Sequence, residues 1–185
     1  MLVNLRALFG VIIDIVLLRR GPENLPASNS LLAAVVAIFV ALNVLAVQVL
    51  VVAQMPATPR TWPLMIIVAA LLQLVWFRTA FRIVRKPERF VQTMIAVFAT
   101  STLFIPAVAL FGALIPYSKK GASEAPPLLS FLFIAVEVWM LMVLSRIVRM
   151  AFEWPWLAAI VFVFAANFAT AVILSVLFGD SPKPV

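Results

Sequence analysis

At 185 residues, 65% apolar and 11% charged with a mean hydropathy of +1.18, the chain lies outside the range of a soluble globular domain, and lipid must be its main solvent. Cysteine and histidine are both absent, which excludes thiolate chemistry, disulfides, the usual zinc ligand sets, histidine-ligated haem and imidazole acid–base catalysis. The net charge of +7 comes from basic residues that flank apolar runs, so anionic lipid headgroups account for it and no nucleic-acid partner is expected.

Crossing about 30 Å of hydrocarbon takes roughly 20 mainly apolar residues at about 1.5 Å rise per residue. Five such stretches fill most of the chain and predict an all-α polytopic integral membrane protein with no separate soluble domain. Residues 1–30 read as an interfacial helix and connector, 31–178 as a five-helix transmembrane domain and 179–185 as a short polar tail.

The first apolar run, residues 1–18, carries Arg6 and Asp14 and ends at Arg19 and Arg20. Its uninterrupted part is too short to span, and no convincing small-residue cleavage site follows it. Arg6, Gly10 and Asp14 share one side of a helix, so the segment is expected to lie in the cytoplasmic leaflet, a signal anchor or re-entrant segment being the alternatives. Asp14 reaches Arg6 only across two turns and is assigned no role. The connector GPENLPASNS stops this helix, and Ser28, Asn29 or Ser30 caps the next.

Span one covers about residues 31–54, with Ala33, Ala37 and Ala41 as a small-residue stripe for helix packing. Trp62 and Pro63 open span two, which runs to about residue 81. Arg78, Arg82 and Arg85 follow at spacings of four and three and line one face if the helix continues. Pro87 then stops it. Span three, about 90–115, contains Pro106, which removes the bond to the Thr102 carbonyl. A kink is expected there, with Thr100, Ser101 and Thr102 offering hydroxyls to the freed backbone groups. Span four, about 128–148, holds Glu137 near its centre and ends at Arg146 and Arg149. Span five runs from Trp154 and Pro155 to about residue 178, with Asn167 inside it and the small residues Ala165, Ala166, Ala169 and Thr170.

With the amino terminus inside, ten basic residues fall on the cytoplasmic side and four (Arg60, Lys119, Lys120 and Lys183) outside, which predicts an N-in, C-out arrangement in a bacterial inner membrane. The tetrapeptide Arg-Ile-Val-Arg occurs twice, at 82–85 and 146–149, each time followed by a proline and the next span. The echo is either a duplicated helical hairpin or a chance product of a small residue alphabet.

Glu137 is the foremost candidate site. An acid at the bilayer centre costs on the order of 2.5–3.5 kcal/mol and is expected to face other helices. Its functional reading is a proton- or cation-linked site or a polar contact to a partner helix; its structural reading is a neutral carboxyl hydrogen-bonded to Asn167, Gln73 or Asn43. The basic face of Arg78, Arg82 and Arg85, with Arg146 and Arg149, either binds anionic lipid or an acidic partner, or only sets topology. No serine-hydrolase elbow, phosphate loop, close carboxylate pair or metal-ligand cluster occurs, so neither an enzyme nor a cofactor is expected.

Five spans after a cytoplasmic amino-terminal segment resemble the Yip1-like membrane proteins. The run Arg89-Phe90-Val91-Gln92-Thr93 leading into span three, and Trp139 ahead of a basic span end, are similar to features of small bacterial members. The resemblance covers about residues 31–178 and implies a role in membrane organisation or protein assembly without catalysis. The expected function is a non-enzymatic scaffold or accessory subunit that binds membrane lipids and another membrane protein or itself. The alternative is a small transporter or channel component, with Glu137, Asn167, Gln73 and the interrupted span three along a polar path. A cavity reaching Glu137 favours the alternative, and a flat small-residue groove facing lipid favours the scaffold.

Overall fold

The computed structural model describes residues 5–52, 61–114 and 127–178. Six α-helices make up the described chain: α1 Leu5–Val16, α2 Asn29–Val52, α3 Trp62–Ile83, α4 Phe90–Leu114, α5 Pro127–Phe152 and α6 Trp156–Phe178. Five of them, α2 to α6, are long and apolar enough to cross a membrane, and no strand occurs among the described residues. The connectors with Arg60, Lys119 and Lys120, and the tail with Lys183, lie outside the described residues.

The spans close into a ring in the order α2, α3, α6, α5, α4, with α3 also touching α4 across it. Short connections join α3 to α4 and α5 to α6 at one end of the ring. The described basic side chains gather there, and that end is called the basic end below. α1, at 12 residues, rises only about 18 Å and cannot span. It lies against α4 and α5 and sends Ile12 and Ile15 into the core, leaving Arg6 and Gly10 exposed. Asp14 turns forward, and the Arg20 guanidinium donates to it at 3.1 Å. Ser28 caps α2 by accepting from the Leu31 N–H, as its place before the apolar run implies.

Three chain reversals at the basic end share one geometry. Leu18, Arg85 and Glu153 all adopt positive φ, near 60°. The next residue's N–H then reaches back five positions: Arg19 to the Asp14 carbonyl, Lys86 to Phe81 and Trp154 to Arg149. This is the Schellman closure that usually employs glycine. Its position also separates the two Arg-Ile-Val-Arg copies. The first straddles the end of α3, with Ile83 exposed; the second lies inside α5, one turn before its end, with Ile147 and Val148 buried. The two are therefore not equivalent in the fold. Arg85, which the spacing placed on a continuous face with Arg78 and Arg82, sits beyond the helix because α3 ends at Ile83.

Packing is asymmetric along the ring axis. In the basic half, α4 is buried without a break from Thr93 to Thr100, facing Val143, Ile147 and Val148 of α5. Aromatic rings fill the centre: Phe81 lies 4.4 Å from Phe152 and 6.0 Å from Phe90, and Phe162 meets Phe77, Phe152 and Trp154 edge to face. In the other half, α4 continues unbroken through Pro106 but buries only Phe104 among residues 101–110, and α5 from Leu128 to Met142 has no buried side chain. The hydroxyls of Thr100 and Thr102 donate to the carbonyls of Ala96 and Phe98, ahead of the one that Pro106 frees, so they do not fill the place expected of them.

The Ala33, Ala37 and Ala41 stripe is exposed on the outside of the ring. α2 packs instead through Val35 and Phe39, and Phe39 meets Phe98 at 5.1 Å. On α6, Ala166 is buried beside exposed Ala165, so only part of that small-residue set serves the bundle.

Candidate functional site: an intramembrane cavity

Where the aromatic filling stops, the ring leaves an open cavity of about 800 Å³ lined from all five spans. Glu137 on α5, Asn43 on α2, Gln73 on α3 and Asn167 on α6 all line it, together with Ser101 of α4. Each of the first four lies about ten residues from the end of its helix opposite the basic cluster, roughly 15 Å of rise, so they occupy one level near mid-span. Their convergence follows from the solvent: a carboxyl or carboxamide is stabilised away from lipid, and four helices in one ring offer one interior.

Apolar side chains make the remaining wall. Phe39, Phe104, Phe133 and Phe164 present rings, and Val108 and Leu141 complete the sides. A smaller hollow of about 190 Å³ shares Phe39, Gln73, Leu144 and Asn167 with the main cavity and ends on Phe77 and Val97, at the aromatic filling. The cavity is thus blocked toward the basic end.

The expected hydrogen bonds from Glu137 to its polar neighbours are not made. Asn43 donates its side-chain amide to the Phe39 carbonyl at 2.8 Å, and Asn167 donates to the Val163 carbonyl at 3.0 Å, each on its own helix. A carboxamide within a helix has the carbonyl four residues back within reach, and that local bond wins. Among the described residues neither the Glu137 carboxyl nor the Gln73 amide has a partner, so both are available to an occupant of the cavity.

The basic residues divide. Arg78 lies over the Phe90 ring, 5.2 Å from its centroid, and Arg149 over Trp156 at 5.4 Å. Arg82 is exposed, and Arg85 forms the turn after α3. Arg146 and Arg149 share a shallow hollow with Glu153 and Trp154, and the Arg146 Nε is buried without a partner among the described residues. The shortest charge contacts belong to three residues that spacing did not single out as a group. Glu153 accepts from Lys86 at 2.6 Å and from Arg89 at 2.8 Å, and Arg89 reaches the last carbonyls of α5 at 3.4 and 3.5 Å. The Lys86 hydrogen bond first, then that of Arg89, holds the Glu153 carboxyl below the ordinary carboxylate range. Gln92 donates to the Leu25 carbonyl at 2.8 Å and ties the connector to α4.

Comparison with protein families, with curated proteins and with solved structures finds no match.

Proposed function

We propose that the chain is a small-molecule-binding membrane component, of the transporter or channel class, whose binding place is the cavity at Glu137. The observation that carries this reading is the convergence of Glu137, Gln73, Asn43 and Asn167 on one cavity of about 800 Å³, within the size range of ligand pockets. A polar ring needed only for cohesion would bond to itself; here the carboxyl and one amide are left to an occupant. In the bacterial inner membrane with the basic end cytoplasmic, as the concentration of arginine there supports, the cavity belongs to the outer half of the bundle.

The absence of native cysteine allows a direct test. Ser101→Cys places a thiol on the cavity wall, and Ala96→Cys places one in the buried segment of α4. In membranes, Ser101→Cys is expected to react with a small methanethiosulfonate while Ala96→Cys stays inert. Equal inertness at both positions would mean that the cavity is not entered, and the reading falls.

A second reading rests on the exposed Ala33, Ala37 and Ala41 stripe, which fits a scaffold that docks another membrane helix, the role the Yip1-like resemblance implies. The two readings concern opposite faces of α2 and are compatible.

A further inference from the structure

We infer that the ligand of this cavity is a lipophilic cation, an amine or quaternary ammonium carrying apolar groups; the inference rests on the cavity being a binding site. Three observations point to this chemistry. Glu137 is the one acidic side chain within helices α2 to α6, and among the described residues no basic side chain lines the cavity with it. The Glu137 carboxyl has no partner among the described residues, so a bound cation would not have to displace a lysine or arginine from it. Four phenylalanine rings stand in the same wall, and a cation taken from water is attracted to ring faces as well as to a carboxylate.

The amides complete the selection. Asn43 and Asn167 have committed one N–H each to their own helices, which leaves each with its side-chain oxygen as an acceptor and one N–H. The Glu137 carboxyl, the amide oxygens and the phenylalanine rings favour positive charge or N–H donors, and an anionic ligand would meet Glu137 with no cation among the described lining residues to offset it. The apolar wall sets the other requirement, because a hydrated inorganic ion would leave most of the cavity surface unsatisfied while alkyl or aryl groups fill it.

The probe is benzyltriethylammonium, with its uncharged analogue in which carbon replaces nitrogen, titrated against purified protein in lipid nanodiscs with empty nanodiscs as the partition control. Saturable binding of the cation is expected, weakened at least about tenfold in Glu137→Gln and retained in large part in Glu137→Asp, with little binding of the neutral analogue. Thermal melts of the variants show whether the bundle stays folded. Equal affinity of the cation for the parent and Glu137→Gln, or equal binding of the neutral analogue, overturns the cation assignment. So does a failure of the cation to bind at all. In each of these cases the reactivity of Ser101→Cys decides separately whether the cavity reading stands.

Discussion

Arg85 sits in the left-handed region with its side chain exposed, and a non-glycine residue there is disfavoured by about 1 kcal/mol because its Cβ crowds the carbonyl. Arg85→Gly is therefore expected to raise stability by about 1 kcal/mol in a denaturant titration in micelles, and Arg85→Ala to give no such gain. A loss on Arg85→Gly would show that the arginine head makes a contact stronger than the backbone strain it imposes. Glu153 also occupies that region, and there the side chain explains the residue: its carboxylate joins Lys86 and Arg89, clasping the α3–α4 turn to the end of α5. Its folded carboxyl titrates below the unfolded value of about 4.3. The stability it contributes is thus present above that value and lost as pH falls through the folded one. The stability difference between the parent and Glu153→Gln is expected to stay constant from about pH 8 to pH 5 and to shrink below pH 4. A difference that widens on acidification would contradict the clasp.

Helix faces obey a different rule, since each span is apolar nearly all round and lipid and protein interior are equally apolar partners. Ala159 on α6 is fully buried, so Ala159→Leu overpacks the bundle and is expected to cost about 1–3 kcal/mol. Ala37→Leu on the outside of α2 is expected to change the stability of the isolated chain by less than about 0.5 kcal/mol. If the stripe docks a partner helix, the same change lowers the mass of the complex extracted in mild detergent while the melt is unaltered; an unchanged mass removes the scaffold reading. This equivalence of surroundings also sets what the sequence discloses. The five spans were legible because length and apolarity leave few alternatives in lipid, and the level shared by Glu137, Gln73, Asn43 and Asn167 was legible because polar groups must turn inward. The outward rotation of the alanine stripe carried no signal, as neither side of α2 is polar enough to identify it. The inequivalence of the two Arg-Ile-Val-Arg copies was hidden too, because the closing turn after each helix uses arginine in one case and glutamate in the other, with no glycine to mark it.

At the scale of the bundle, one half is filled and the other is hollow, and the two tasks separate along the axis. Phe81, fully buried, meets Phe90 and Phe152 and so links α3, the start of α4 and the end of α5 at a single point. Phe164, on the cavity wall and 64% exposed, holds no comparable place. A bundle built in this way draws its cohesion from the basic half and leaves the cavity half free to accept an occupant without loss of the fold. Phe81→Ala is accordingly expected to cost about 3–5 kcal/mol, as large-to-small changes at buried aromatic sites do. Phe164→Ala should cost under about 1 kcal/mol while altering ligand retention in the nanodisc titration. Comparable destabilisation by the two changes, measured by the same unfolding titration, would mean that the cavity half is as tightly held as the other, and the separation of anchoring from binding would have to be abandoned.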